Sequence, residues 1–393
     1  MKIAFIVSRV PFPLEKGDKL RAYHQIKKLS EKHELHLIAL NDSELNPSAL
    51  PELKKYCASV SIYALPGAVI AKNLVKNIFT KLPFQVAYFT HSPHQKAIKQ
   101  RLLEIQPDII YYQLIRTCEY AKELEYPAIL DYMDALSEGM KQKAKRAFLL
   151  SPLFYNEYRR SLSYESQVFE RFHTKTIISE QDRQLIDHPG NKNIHVIPNG
   201  VDTNYFAPVD GSSEYDVLFT GNMNYPPNID AALFLAKEIM PLVRKIMPST
   251  RLLIAGANPN KKVLKLRSRL TLVSGWVDDI RACYGSSKIF VAPMRMGTGL
   301  QNKLLEAMSM NLPCITSSMA NKALQAPEGK MILLADAPRQ YADHIIYLLQ
   351  NNEKRLQMGR EGRSFVIKHF DWENTVARLA QLLEDAVLQD HKL

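Results

Sequence analysis

Short apolar runs alternate with longer amphipathic stretches along almost the whole sequence. Runs of this length are typical of buried strands, and the stretches between them have the spacing of helices. Strands that alternate with helices predict parallel sheets covered by helices on both faces, so we expect a doubly wound α/β protein. The expected strands cover residues 2–7, 34–40, 59–64, 108–113, 127–131, 174–178 and 193–197, and then 215–220, 250–255, 271–274, 288–293 and 313–316. Helices are expected between them, including residues 228–247, 299–310 and 337–350.

The two halves of the chain repeat this pattern, which indicates two domains. A chain of 393 residues has room for them at about 150 residues each. Residues 197–213 are rich in turn formers and lack helical periodicity, so we place the linker there. The expected domains are residues 1–208 and 209–370, followed by a last helix over 371–393. Because ligands bind at the carboxyl ends of parallel strands, two such domains facing each other predict one interdomain cleft.

The charge balance indicates an anionic partner. The chain has 51 Lys and Arg against 40 Asp and Glu, a formal net charge of +11. Such an excess attracts nucleic acid, an anionic membrane surface or phosphorylated small molecules. Nucleic acid is the least favoured of these, because no recognised nucleic-acid module accompanies the charge. No run of about 20 apolar residues is present to cross a bilayer, so any membrane contact is expected to be peripheral.

The cysteines favour a reducing compartment. All four lie far apart, with no Cys-x-x-Cys pair and no histidine at zinc-ligand spacing, so neither a disulfide framework nor a structural metal site is expected. The amino-terminal run Met1–Val7 is interpreted as a buried strand rather than a signal peptide, since Arg9, Pro11 and Pro13 interrupt it. We therefore expect a cytoplasmic protein.

The strongest local motif lies between Val291 and Pro313. A predicted strand ends at Pro293, a turn of two glycines around Thr298 follows, and a helix then runs to about Met310. A helix amino terminus has free N–H groups and a positive dipole end, which suits a phosphate or diphosphate. Lys303 and Glu306 are three residues apart and share one helix face. The alternative for these two residues is an ordinary exposed ion pair.

This motif, Gly-x-Gly-x-x-x-Lys-x-x-Glu-Ala-Met-x-x-x-x-Pro, resembles the donor-site motif of the family 4 glycosyltransferases. Those are retaining enzymes of the GT-B fold, in which two Rossmann-like domains face a cleft, and they use nucleotide sugars. Residues 199–206, 253–259 and 275–280 resemble other elements of the same family. Residues 11–21, 131–137 and 219–228 resemble a subgroup associated with bacterial exosortase (PEP-CTERM) and exopolysaccharide loci.

The resemblance implies a set of donor-binding residues. Glu306 would bond the ribose hydroxyls, Lys303 would lie beside the phosphates, and the amides around Thr298 would hold the diphosphate. The loop that contains Trp276 would meet the base. The full implied set is Glu306, Lys303, Gly297, Thr298, Gly299, Leu300, Arg295, Asn222, Trp276, Val277, Gly221 and Gly17.

Two departures from the family pattern concern the donor. Thr298 stands where the family often has a second acid, so recognition of the sugar through that carboxylate is not expected. Asn222 and Asn228 stand where an Arg and Lys pair is usual. Lys303 and Arg295 would therefore supply the charge-assisted phosphate contacts. With these cations and the helix amides to neutralise the leaving diphosphate, neither a metal nor a further cofactor is expected.

The first domain is expected to bind the acceptor. Its first loop carries Gly17, whose lack of a side chain allows close backbone approach, and Lys19 and Arg21 add positive charge. Asp131 and Asp134 follow a predicted strand and are expected at the cleft, although a helix cap and a loop carboxylate are the simpler interpretation. The candidate catalytic residues are Asp134, His24 and Lys303; His24 is otherwise a surface or core histidine.

These observations predict a retaining glycosyltransferase that moves a sugar from a nucleoside diphosphate to a saccharide or lipid-linked acceptor in exopolysaccharide or cell-surface glycan synthesis. A GT-B nucleotide-sugar epimerase and a catalytically weak scaffold of a polysaccharide assembly complex are the alternatives.

Basic stretches at residues 71–89 and 141–150 could lie on anionic lipid at the inner face of the membrane, or could be solvated helix faces. The last helix is expected to cross back onto the first domain, as it does in the family.

Overall fold

The computed structural model describes residues 1–122, 125–146, 150–209, 213–297 and 299–390. Thr298 and three residues of the predicted basic stretch, 147–149, lie outside these ranges. The chain forms two compact units. Unit 1 comprises Met1–Pro198 and the chain from Thr375 onward, and unit 2 comprises Asn199–Asn374.

Unit 1 contains a seven-stranded parallel sheet in the order β3-β2-β1-β4-β5-β6-β7. Strand β1 has five of its six residues buried, which is typical of a parallel strand covered on both faces. The strands are β1 Lys2–Val7, β2 Glu34–Asn41, β3 Ser59–Ala64, β4 Ile109–Gln113, β5 Ala128–Asp131, β6 Thr174–Ile177 and β7 His195–Val196. The helices are α1 Gly17–Leu29, α2 Ala49–Leu53, α3 Gly67–Asn77, α4 Phe84–Phe89, α5 Ser92–Ile105, α6 Leu136–Arg146, α7 Ser151–Phe169 and α8 Glu180–Leu185.

Unit 2 contains a six-stranded parallel sheet in the order β10-β9-β8-β11-β12-β13. The strands are β8 Tyr215–Thr220, β9 Leu252–Ala255, β10 Thr271–Val273, β11 Ser287–Ala292, β12 Cys314–Thr316 and β13 Leu333–Leu334. The helices are α9 Pro226–Phe234, α10 Met240–Ile246, α11 Lys261–Leu264, α12 Ile280–Gly285, α13 Asn302–Ser309, α14 Ser318–Leu324, α15 Pro338–Gln350, α16 Asn352–Phe370 and α17 Trp372–Asp390, which continues into unit 1.

The expected α/β architecture with two parallel sheets is confirmed, with local differences. The helix predicted over 228–247 is α9 and α10 joined by a π-helical segment, Leu235–Ile239. The helix predicted from 299 begins at Asn302. Strand β13 was not predicted, because two residues are too short to show a period.

The segment 199–208, assigned from the sequence to the first domain, packs within unit 2. The Val201 amide donates to the Phe370 carbonyl oxygen at 2.7 Å, and Ser309 donates its hydroxyl to the carbonyl oxygen of Phe206 at 2.7 Å. These bonds join the segment to α16 and α13. The turn formers indicate where the linker lies, but not to which unit it belongs. Its hydrogen-bond partners in unit 2 are more than 100 residues away in the sequence.

In unit 2 the strand order reverses between β8 and β11, which pair in parallel. Loops that follow two neighbouring parallel strands at such a reversal diverge to opposite faces and leave a crevice between them. The loops after β8 and β11 contain Gly221, Asn222 and the Gly297–Leu300 motif. The topology therefore brings two separately predicted parts of the donor site to one edge of the unit 2 sheet.

Within the described residues, no helix combines the length and the apolarity that crossing a membrane requires.

Candidate active site

The loops after β8 and β9 touch through their glycines. Gly256 has a φ of +131°, and a Cβ built there would lie 2.0 Å from the carbonyl oxygen of Gly221. A Cβ at Gly221 would in turn lie 2.6 Å from the side-chain nitrogen of Asn228. Only glycine fits at these contacts, so they fix the path of the loop after β8.

Asn228 links that loop to helix α13. Its side-chain amide donates to the carbonyl oxygen of Asn222 at 2.9 Å, and its side-chain oxygen accepts from the ammonium of Lys303. Asn228 is buried in the first turn of α9. Burial lowers the pKa of Lys303 to about 8, and the Glu306 carboxylate opposes this shift. The ammonium is therefore held in a defined position and stays protonated at neutral pH.

Glu306 lies one turn after Lys303 and has a different partner. The Tyr284 hydroxyl donates to Oε2 of Glu306 at 2.7 Å, and it lies 3.0 Å from the Thr220 hydroxyl at the end of β8. Tyr284 is completely buried. Burial raises the pKa of Glu306 to about 7, although the hydrogen bond from Tyr284 and the charge of Lys303 both favour the carboxylate. The two α13 residues thus form separate anchored groups rather than an exposed ion pair.

Sequence reasoning missed Tyr284 and the linking role of Asn228. Tyr284 lies on α12, 22 residues before Glu306, and Asn228 lies 75 residues before Lys303. A tyrosine in a short helix carries no signal of its own. Asn228 was noticed as a departure from a basic pattern, and that departure is explained by its amide, which both donates and accepts here.

The glycines of the α13 motif have open surroundings. Gly297 has a φ of +95°, and a Cβ at Gly297 or Gly299 would meet nothing within 4 Å. Leu300 packs against the core of unit 2. The fold leaves space at this turn, and the structure does not describe Thr298, the predicted residue between the glycines.

Arg295 is already paired. Its guanidinium makes two hydrogen bonds to Asp230, at 2.8 and 3.0 Å, and lies 4.1 Å from the centre of the Phe234 ring. To reach a phosphate, as the sequence analysis predicted, this guanidinium would have to leave the ion pair. Lys303 is therefore the better placed of the two predicted cations.

Trp276 and Val277 follow β10. Trp276 is 70% exposed, whereas Val277 packs against the unit 2 core. Asp279 then caps α12 by accepting from the Arg281 amide at 2.9 Å. The loop predicted to meet the base thus leads directly into the helix that carries Tyr284.

In unit 1, the loop before α1 borders a small basic cavity. A cavity of about 180 Å³ is lined by Arg9, Lys16 and Lys19 together with Asp42 and other residues. Gly17 begins α1, and a Cβ there would meet nothing within 4 Å. The fold does not require glycine at this position, so the close backbone approach predicted for Gly17 remains a prediction.

Arg21 and Asp131 pair with each other inside unit 1, which agrees with the simpler, structural interpretation of Asp131 and corrects the expectation that Arg21 adds positive charge to the loop. Arg21 Nε lies 2.6 Å from Asp131 Oδ2, and both side chains are fully buried. Tyr111 and Thr176 also donate to this carboxylate, at 2.7 and 2.9 Å. A buried pair with these additional hydrogen bonds has its charges satisfied internally. Lys19 is the remaining predicted cation of this loop.

The candidate catalytic residues of unit 1 lie on different elements. Asp134 is exposed in the loop after β5. The surrounding protein displaces water from the Asp134 carboxylate, and this desolvation raises its pKa. The negative charges of Asp18 and Asp131 raise the pKa further, whereas the positive charge of Arg116 lowers it. His24 is half-buried on α1, with its ring edge-on to Tyr23 at 5.4 Å. Their roles remain predictions.

Comparison with known sequences gives a family match within unit 2. Residues 214–351 match the family model described as glycosyl transferases group 1. A Klebsiella pneumoniae protein described as "Uncharacterized 44.6 kDa protein in cps region" is 22% identical over 391 residues, covering 94% of this chain and 96% of that protein. A UDP-Gal:alpha-D-GlcNAc-diphosphoundecaprenol alpha-1,3-galactosyltransferase of Escherichia coli is 26% identical over 216 residues, covering 50% of this chain and 55% of that enzyme.

Solved structures agree with the fold. HepE of Anabaena in complex with UDP-glucose matches with a TM-score of 0.69 and 13% identity, over 98% of this chain and all of that chain. At this identity the likeness concerns the fold alone, and it confirms the expected GT-B class.

Proposed function

We propose that the protein, in which residues 214–351 match the model described as glycosyl transferases group 1, is a glycosyltransferase that moves a sugar from a nucleoside diphosphate donor with retention of configuration. The acceptor is a saccharide or a lipid-linked saccharide of exopolysaccharide or cell-surface glycan synthesis. The similar protein named for a cps region and the similar galactosyltransferase named for a diphosphoundecaprenol acceptor support this choice. We also propose a cytoplasmic location, which the four free cysteines support.

One observation carries the donor assignment: Glu306 and Lys303 are held one turn apart by different partners, Tyr284 and Asn228. Tyr284 occupies Oε2 of Glu306, and we assign Oε1 to the ribose hydroxyls. The ammonium of Lys303 then lies toward the diphosphate. An acceptor for hydroxyls and a cation for phosphates, at this spacing, match the two polar parts of a nucleoside diphosphate.

In the transfer step, the bond between the anomeric carbon of the sugar and the diphosphate breaks, a bond from that carbon to the acceptor hydroxyl oxygen forms, and negative charge develops on the leaving phosphate. Lys303 stabilises this charge from a fixed, partly desolvated position, where such stabilisation is strongest. The backbone amides of Gly297 and Gly299 contribute in the same way. The leaving phosphate can accept the proton of the acceptor hydroxyl, and we propose Asp134 as a residue that positions the acceptor. In this scheme Lys303 and the backbone amides make a metal unnecessary.

A screen of UDP-, GDP-, ADP- and dTDP-sugars tests the proposal. A ligand that binds only the native state stabilises it by about 2.7 kcal/mol at 100 times its Kd, so we expect one nucleotide class to raise the melting temperature. The donor so identified is then incubated with and without saccharide acceptors. Sugar release or transfer supports the proposal. Conversion of the donor without an acceptor would identify an epimerase, and donor binding without turnover would identify a scaffold.

Replacing Tyr284 by Phe (Y284F) is expected to raise the Kd for the donor nucleotide at neutral pH by up to about tenfold, because without this hydrogen bond more of Glu306 is protonated and one pKa unit corresponds to about 1.4 kcal/mol. It should also raise the pKa of Glu306 further, since the Tyr284 hydrogen bond favours the carboxylate. The pH below which nucleotide affinity falls should therefore move upward, as measured by calorimetry at several pH values.

Tyr341 provides a matched control in the same unit. It is buried, and among the described residues its hydroxyl has no hydrogen-bond partner. Y341F should leave the affinity and its pH dependence unchanged. Equal effects of Y284F and Y341F would mean that Tyr284 does not position Glu306.

A further inference from the structure

One long segment of unit 1 is exclusively basic. Residues 53–103 contain eight Lys and Arg and no Asp or Glu, and so carry most of the net charge of +11. This segment includes strand β3, helices α3 and α4, and all but the last two residues of α5. Lys72, Lys76 and Lys81 are exposed along α3 and the loop after it. None of these three lysines forms an ion pair with a described residue.

The same region exposes large apolar side chains. Val75, Ile78 and Phe79 are 61%, 58% and 89% exposed. Ala71, Val75 and Phe79 recur every four residues, which places them along one face of α3 and its extension. Because these residues alternate with the lysines, α3 combines an apolar stripe with flanking positive charge.

The loop that carries Ile78 and Phe79 is held in place by hydrogen bonds. The side-chain amide of Asn77, which is buried, donates to the carbonyl oxygen of Leu82 at 2.8 Å. Thr80 donates to the side chain of Asn77, and Arg160 of α7 donates to its carbonyl oxygen at 3.2 Å. The fold thus builds a fixed tip from which Phe79 projects, instead of burying it.

Helix α7 supports this loop and α4, and it exposes an apolar side chain of its own. Glu157 accepts hydrogen bonds from the amides of Phe84 and Gln85, at 3.0 and 3.3 Å, and Arg160 lies over the Phe84 ring. Leu153 precedes Glu157 by four residues and Arg160 by seven, so it lies on the helix face that packs beside α4. Leu153 is 52% exposed. We name the group formed by Lys72, Val75, Lys76, Ile78, Phe79 and Lys81 the basic apolar surface.

We propose that the basic apolar surface docks onto an anionic phospholipid bilayer. Its apolar side chains enter the boundary between headgroups and acyl chains, and its lysines contact the headgroup phosphates. Lysine is depleted at protein interfaces, which disfavours a protein partner, and a nucleic acid would not explain the exposed Phe79, Ile78 and Val75. An anionic bilayer accounts for both the exposed apolar side chains and the flanking lysines. Docking would bring the enzyme to the surface where a lipid-linked acceptor lies, but it does not depend on the proposed reaction.

The test is co-sedimentation of the purified protein with vesicles of phosphatidylcholine alone or mixed with phosphatidylglycerol. We expect binding to the anionic vesicles that weakens as salt is added. Phe79→Ala should weaken it more than tenfold, since about 2 kcal/mol of transfer free energy is lost with the ring. Lys76→Gln should weaken it about fivefold, which corresponds to about 1 kcal/mol per lysine near the surface.

Ile246→Ala is the matched control. Ile246 is 53% exposed at the end of α10 in unit 2, and its loss should leave vesicle binding unchanged. Because Phe79 is so exposed, Phe79→Ala should melt like the wild type. No binding to anionic vesicles, equal binding to neutral ones, or equal losses in Phe79→Ala and Ile246→Ala would each overturn the proposal. A dimer that Phe79→Ala dissociates, without vesicle binding, would instead assign the surface to a second copy of the chain.

Discussion

Replacing Glu306 by Ala (E306A) is expected to weaken binding of the donor nucleotide by about 10- to 100-fold. The proposed ribose contact is a hydrogen bond to a charged group, which contributes about 1.5–3 kcal/mol. The loss should appear in calorimetric titration with the nucleoside diphosphate, which has no sugar to transfer. Circular dichroism establishes that the variant is folded.

Glu306→Gln separates the charge from the hydrogen bond. It keeps one carbonyl oxygen for either Tyr284 or the ribose and turns its NH2 group to the other hydroxyl, which can accept, so its nucleotide affinity should lie between those of E306A and the wild type. If E306A bound the nucleoside diphosphate as tightly as the wild type, Glu306 would not contact the nucleotide. If E306A weakened binding of the nucleotide sugar but not of the nucleoside diphosphate, Glu306 would contact the sugar instead.

The same variant tests the pH dependence. Burial raises the pKa of Glu306 from 4.5 to about 7, so wild-type nucleotide affinity should decrease as the pH falls below about 7, where the carboxylate is protonated. The contribution of Glu306 to the free energy of unfolding depends on pH in the opposite direction. The native state holds this proton more tightly than the unfolded chain, so the stabilisation is present below pH 4.5 and is lost as the pH rises through about 7. Both dependences should be absent from Glu306→Gln.

Gly256→Ala is expected to lower the free energy of unfolding by about 3 kcal/mol or more. The methyl group would overlap the carbonyl oxygen of Gly221, and a φ of +131° is strained for any other residue. Since the atom it meets belongs to the backbone, no side-chain rotation relieves the contact. Urea denaturation followed by circular dichroism measures the change.

Gly299→Ala is the control within unit 2. Its Cβ would meet nothing within 4 Å, so its stability should stay within about 1 kcal/mol of the wild type. If Gly256→Ala unfolded at the same urea concentration as the wild type, the loops after β8 and β9 would not be in contact, and the placement of Asn228 and Lys303 would lose its basis.

The sequence predicts those features of the fold that depend on neighbouring residues. Apolar runs fall within the strands, and the glycine turn precedes α13, because period and turn chemistry are local properties. Contacts between distant residues are not predicted. Arg21 and Asp131 are 110 residues apart, so the sequence does not show that their side chains form an ion pair.

In the candidate site too, residues of one local motif are predicted from the sequence and their distant partners are not. Lys303 and Glu306 were selected by their spacing in one motif, whereas Tyr284 and Asn228, which hold them, belong to other helices. Arg295 was selected for its charge, but a sequence does not show that Asp230 pairs with it. Residue type indicates what a side chain can do, and the fold decides which partner it has.

The glycines of unit 2 differ in how much variation they allow. At Gly221 and Gly256 a first carbon atom already collides with protein, while at Gly297 and Gly299 it finds open space. A mutant library directed at the first pair would yield mainly misfolded chains. At Gly299 the same library would place new side chains beside the proposed diphosphate site without disturbing the scaffold, whereas at Gly297 the φ of +95° strains any other residue. A change of sugar preference, in natural descent or in the laboratory, would therefore be most accessible through the turn before α13.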